Sequence, residues 1–288
     1  MHKHSIAATL VFSIIGFLMF FAGDCALSDK NENLPVVTSI GAPSNVTIKL
    51  DQTTGCYVEI SWQASAHQSR TDFKGYVINT YEVDSANAIK SLFSSVTTDK
   101  NASSQTIISL IPLKKYISYI HAQLKDSVRS DSVGTKIYAP VFANNDVIDE
   151  YLPSGNGNSG YGWNTTFGVG TRYAYTSNNA QLIDLHLRGD ATGLRFYSPD
   201  QQTPGVKTTL MGIIGTGQTA FDLTELVEPD SKNQVVMENT VYLLKLSSRN
   251  YVKIWVTKIN MAGNGKNYKS VEFKYKLQPI SGLRMVKK

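Results

Sequence analysis

The chain has 288 residues, a formal charge of +5 and two cysteines. That length suffices for two domains with separate cores, and so few cysteines exclude a disulfide-stapled scaffold or a cysteine-rich zinc module. Tyr, Thr, Ser, Val and Ile are abundant, and no long stretch beyond the N-terminus carries apolar residues at helical spacing, so the chain reads as all-β.

Lys3, flanked by His2 and His4, precedes an apolar run from Ile6 to Gly23, after which Asp24 opens a polar stretch. A basic start, an apolar core and small residues before a boundary predict an export signal over 1–24. An uncleaved membrane anchor is the rival reading of the same run. Cys25 resembles the lipid-accepting cysteine of bacterial lipoproteins, although Asp24 stands where that family places Gly, Ala or Ser. The resemblance implies a lipid anchor at Cys25 on an outer membrane or cell surface; the alternative is a secreted or periplasmic protein. Residues 25–41 would then be a polar tether. With Cys25 lipidated, Cys56 has no disulfide partner and reads as a small buried hydrophobe.

The first module is predicted over 42–140. Val46 and Ile48 open a strand, and Cys56, Val58, Ile60 and Trp62 share one face of the next. Further strands are expected at Gly75–Tyr81, Phe93–Thr98 and Gln105–Leu110 and around Val133–Tyr138. Between them, Leu110-Ile111-Pro112 followed by Tyr116 predicts a tyrosine corner. Its ring enters a sandwich core while its hydroxyl bonds the backbone of the preceding loop.

Asn45-Val46, Ile60-Ser61-Trp62, Gly75-Tyr76 and Leu110-x-Pro112-x-x-x-Tyr116 with Ala122 together resemble a fibronectin type III domain. The resemblance implies seven strands in two sheets, a spacer or adhesion role without catalysis, and Trp62, Tyr76 and Tyr116 in the core.

Pro140 and the pair Asn144-Asn145 suggest a linker over 141–146 and a second β module over 147–279, closed by a basic tail at 280–288. The run from Gly155 to Asn164 matches G-x-G-x-x-G at Gly155, Gly157 and Gly160, but without the strand before and helix after that dinucleotide binding requires. It reads as a loop, with Trp163 either packing or awaiting a ligand. Ala180–Arg188 reads as a strand in which Asp184, His186 and Arg188 take the face opposite Leu185 and Leu187, and Arg188-Gly189-Asp190 spells an integrin tripeptide by chance. A Gly/Thr-rich connection runs to Gly217, a short helix or turn falls over Phe221–Leu226, and three antiparallel strands end the module. From Lys232 onward, twelve Lys and Arg face only Glu238 and Glu272. Those lysines alternate with apolar residues, which reads as a soluble strand surface, and no nucleic-acid partner is expected.

The pattern Val241–Lys245, a turn, Tyr251–Thr257 and Val271–Tyr275 resembles the closing strands of the HmuY-like family, with Ser-Arg-Asn replacing its usual turn glycine. Those are mostly lipid-anchored proteins of Gram-negative bacteria whose founding members capture haem. Axial haem ligation needs His or Met side chains that converge. His186 is the module's sole histidine and Met211, Met237 and Met261 its soft partners, so a His–Met or a Met–Met pair is open, and the candidate is His186 with Met211. The plainer reading leaves His186 on a solvated face and the methionines as filler. Asp222, Glu225, Glu228 and Asp230 form an acidic cluster without EF-hand spacing, and no Ser–His–Asp set has a positioned base. Tyr161, Trp163, Tyr173 and Tyr175 either stack on a ligand or pack. The sequence therefore predicts two β-sandwich-type domains in an exported, lipid-anchored, non-enzymatic surface protein. Its second module would bind haem or another small ligand, and its first would be a spacer. The alternative is a structural or adhesion protein that contacts a host or cell-surface protein.

Overall fold

The computed structural model describes residues 39–50, 56–153, 157–191, 193–222, 228–262 and 269–284. The predicted export signal, Cys25 and most of the tether lie outside the described residues. The first module runs through β1 (Ser44–Leu50), β2 (Val58–Gln63), β3 (Phe73–Val83), β4 (Ile89–Asp99), β5 (Ser104–Ile107), β6 (Lys115–Leu124) and β7 (Val133–Gly134). They form two antiparallel sheets, ordered β1-β2-β5 and β4-β3-β6-β7. Period-two alternation in β2, β3 and β6 sends Val58, Ile60, Trp62, Tyr76, Ile78, Tyr116 and Ile120 into one core. Trp62 and Tyr76 pack with ring centroids 5.2 Å apart, and the Tyr76 hydroxyl accepts the Ser65 N–H at 3.0 Å.

The predicted corner forms. The fully buried Tyr116 turns its hydroxyl back to accept the Ile111 N–H at 3.0 Å. Tyr116→Phe keeps the ring and removes that acceptor, at an expected cost of about 1–2 kcal/mol. Urea denaturation followed at the first module checks this, and an unshifted midpoint would show that the corner bond contributes nothing.

The second module contains β8 (Phe142–Asp149), β9 (Gly160–Asn164), β10 (Val169–Tyr173), β11 (Leu185–Asp190), β12 (Gly193–Tyr197), β13 (Leu210–Thr216), the short helix α1 (Gly217–Asp222), β14 (Asn233–Val235), β15 (Thr240–Lys245), β16 (Tyr251–Asn260) and β17 (Ser270–Gln278). Two five-stranded sheets, β10-β9-β11-β12-β14 and β13-β15-β16-β17-β8, enclose a second core that includes Ile148, Tyr161, Phe196, Tyr242, Ile254 and Phe273. The fold is therefore all-β, with two sandwich modules and two separate cores.

Three expectations are corrected here. Residues 141–146 are not a linker: Val141 packs in the first core, and Phe142 begins β8, paired to β17 from Phe142–Leu277 to Asp149–Ser270. Asn144 and Asn145 look like boundary residues because β8 has a sheet neighbour on one side only and its exposed positions stay polar. The glycine-rich stretch is β9 rather than a loop over Gly160–Asn164. A Cβ on Gly162 would lie 2.0 Å from the Leu182 carbonyl oxygen, so close approach of the backbone that runs into β11 demands glycine there. The Gly/Thr-rich connection before Gly217 contains β13, with a register irregularity between Ile213 and Gly215. The short helix or turn expected over Phe221–Leu226 begins within α1, which is described to Asp222; residues 223–226 lie outside the described residues.

Candidate functional site

Leu185 and Leu187 of β11 belong to the second core, so the alternate residue His186 projects from the outer side of that sheet. That side is covered. His186 is 1% exposed, stacked on Tyr175 at a centroid distance of 4.0 Å and edge-on to Tyr151 at 5.4 Å. Neither ring nitrogen has a hydrogen-bond partner among the described residues. Burial, reinforced by the Arg188 charge, pushes the imidazole pKa down to about 3. Met211, on β13 in the facing sheet, is fully buried in the core between the sheets. His186 and Met211 are thus separated by a sheet and cannot grip one iron between them. Met237 and Met261 are exposed side chains. The candidate haem pair does not fit the fold.

Other residues singled out from the sequence resolve into packing. Tyr161 and Trp163 are buried with centroids 4.9 Å apart, and Tyr175 is engaged by His186 and donates to the Pro199 carbonyl at 3.0 Å. Arg188-Gly189-Asp190 is part of a strand, with Asp190 paired to Arg195 at 3.1 Å. In the acidic cluster, Asp222 pairs with Lys276 at 3.0 Å, and Glu228 lies between Lys245 and Arg284. The hydrogen bond from Lys245 holds the Glu228 carboxyl below the ordinary range. Among the described residues no group of three or more His, Cys, Asp or Glu is arranged to hold a metal ion.

The arrangement that does offer a site is the outer face of the β13-β15-β16-β17-β8 sheet. Val271, Phe273, Tyr275 and Leu277 of β17 enter the core, which turns Glu272, Lys274 and Lys276 outward. Register then sets Trp255, Lys274 and Asn145 in one row and Lys253, Lys276 and Ala143 in the next. α1 lies over part of this face. Phe221 comes within 5.8 Å of the Trp255 ring, and the Lys276 ammonium lies 4.6 Å from the Phe221 ring centre. Lys253 is buried beneath, donating to the Phe221 carbonyl at 3.5 Å; burial first and the Lys276 charge second push its ammonium pKa down to about 7.

Lys274 is different. It is exposed, its ammonium stands 5.1 Å from the centre of the Trp255 ring, and it has no carboxylate partner among the described residues. The Trp255 ring is itself fixed by its indole N–H, which donates to Asn239 Oδ1 at 3.2 Å. Concavities adjoin Lys274 on both sides. One, of about 350 Å³, runs towards α1 between Asn144, Gln218 and Phe221. The other, of about 770 Å³, runs along β8 past Val147, Thr257 and Asn260. Asn145 and Lys274 line both. Sequence reading passed over these residues because Asn145 looks like a linker and Lys274 like one of many strand lysines; only the register reveals the row.

No protein-family profile matches the chain, and no curated protein matches it. Among solved structures, a fibronectin type III domain of human collagen XX is similar over 34% of this chain and 90% of its own, at 15% identity and a TM-score of 0.27. The third fibronectin III domain of human KIAA0343 is similar over 34% of this chain and 79% of its own, at 15% identity and a TM-score of 0.29. The twitchin kinase region of C. elegans covers 83% of this chain with 40% of its own, at 13% identity and a TM-score of 0.26. The first module is a β-sandwich of two antiparallel sheets. No family model or curated relative supports the resemblance of residues 147–279 to HmuY-like proteins.

Proposed function

We propose that this chain is an exported, lipid-anchored, non-enzymatic surface protein whose second module binds a ligand on its outer sheet face, with the first module as spacer. The observation that carries the reading is the pair of adjoining concavities that share Lys274 and Asn145. Their sizes match those of small-ligand sites, and a cation without a carboxylate partner at their junction gives such a site its polar anchor. The apolar run Ile6–Gly23 and Cys25 support export and anchoring. Haem drops out of the proposal, because His186 and Met211 point to opposite sides of a sheet.

An adhesion reading is favoured by a different surface. Tyr57 and Ile108 flank the paired residues Val58 and Ile107 and are 39% and 63% exposed on the first module. Adsorption of the purified mature protein to isolated cell-surface material separates the two. Ala143→Trp, which fills the smaller concavity, should abolish adsorption, while Ile108→Asp should leave it intact. The reverse result selects adhesion through the first module. Anchoring is checked separately: labelled palmitate should enter the wild type and not Cys25→Ala, and no label in the wild type would remove the anchor from the reading.

A further inference from the structure

Resting on the groove as the binding face, we infer that its occupant is an acidic oligosaccharide, with one sugar carboxylate received by Lys274. Lys274 Nζ stands over the Trp255 ring at 5.1 Å, and the other ring packed against Trp255 is Phe221 at 5.8 Å. Cation–π attraction holds the ammonium at the junction without neutralising it, so its charge remains available to an anion. Two of the carboxylates nearby are ion-paired; Glu272, which lines the larger hollow, has an amide partner only among the described residues. Glu272 accepts from Asn260 at 2.9 Å, Asp222 pairs with Lys276 at 3.0 Å, and Asp146 accepts the Tyr161 hydroxyl at 2.9 Å and lies 3.5 Å from Arg172.

The remaining walls mix amides and hydroxyls, Asn144, Asn145 and Gln218 on one side and Thr257, Asn260 and Ser270 on the other, with apolar and aromatic side chains such as Phe221 and Val147. Uncharged groups that both donate and accept match a polyhydroxylated ligand. The geometry opposes densely charged polyanions. A nucleic acid or densely sulfated polymer draws its affinity from many cations along its track, and among the described residues this face offers only Lys258 and Lys274 as exposed cations without a carboxylate partner. An acidic peptide would bind through anchor side chains in apolar pockets or by adding a strand to a sheet edge; β8, which lines both hollows, is such an edge, so a peptide is the rival that the titration must separate. Two hollows in line, joined at the cation, suit a short sugar chain whose acidic unit sits in the middle.

Calorimetric titration of the full mature protein tests this with digalacturonate and sialyllactose against their neutral counterparts, galactobiose and lactose. At least one acidic sugar should bind about ten-fold tighter than its neutral partner. Lys274→Met, which keeps the apolar stem on Trp255, should bring the acidic sugar to the level of the neutral one, while Asn145→Ala weakens both. Equal affinity for acidic and neutral sugars, or an unchanged preference in Lys274→Met, overturns the acid assignment while the groove remains a sugar site. Binding of an acetylated Gly-Asp-Gly peptide without binding of any sugar overturns the oligosaccharide. No binding of any probe also overturns it; the groove reading would then stand or fall on the adsorption of Ala143→Trp. Thermal melting of each variant confirms that it is folded.

Discussion

Acidification from pH 6.5 towards 3 should destabilise the second module by roughly 5 kcal/mol through His186 alone. In the folded chain burial among Tyr175 and Tyr151 holds this imidazole neutral down to about pH 3, against 6.5 for the exposed side chain. Below 6.5 the unfolded chain takes up a proton that the folded one refuses, so stability falls with pH and the loss is complete only near 3. Arg188 adds to the effect, because a second cation on the same strand opposes protonation. Glu228 and Asp200, whose ion pairs lower their pKa values, lose stabilisation only at more acid pH as they protonate. The interval from about pH 6 to 5, below the Lys253 titration near 7 and above the carboxylates, therefore isolates the histidine. His186→Phe keeps a ring against Tyr175 and removes the titration, and it should flatten urea-derived stability over that interval. Parallel pH profiles for variant and wild type would show that His186 is protonated in the folded protein.

Gly75→Ala is the second large expectation and falls on the first module. Gly75 adopts φ +152°, and a Cβ there would lie 1.9 Å from the Thr98 carbonyl oxygen on β4. The residue sits where the β3–β6 register shifts between Phe73 and Gly75, so the neighbouring strands fix its position on both sides. Backbone strain and the clash together should cost about 3 kcal/mol or more. A thermal scan of the variant should show the first module's transition lowered by many degrees or lost. A shift within error of wild type would mean that the β3–β4 pairing yields more easily than its geometry implies.

How much of this was legible beforehand depends on the residue. Tyr116 was readable because leucine, proline and tyrosine occur at a spacing that only a corner explains. The second module has a matching device at Tyr242, whose hydroxyl accepts from Met237 N–H at 2.9 Å and donates to the Val235 carbonyl at 2.7 Å. It went unseen because no proline or leucine marks the loop before it. Trp62 followed from alternation, since strands with one wet face advertise their cores, and Tyr76 from the motif resemblance. His186 was misplaced for the same reason in reverse. Alternation assigns it to the face away from Leu185 and Leu187, but says nothing of Tyr151 and Tyr175, which arrive from distant loops to cover it. The groove was hidden more deeply. Asn145, Lys274 and Trp255 become neighbours only through the pairings of β8 with β17 and of β17 with β16, and register is a property of the sheet rather than of any one segment.

The most direct test of the outer-face groove is a shift map of isotope-labelled mature protein titrated with digalacturonate. A ligand-binding groove here should give saturable amide shifts centred on Asn144, Asn145 and Lys274, absent in Ala143→Trp. Shifts centred on Tyr57 and Ile108, or around His186, would contradict it.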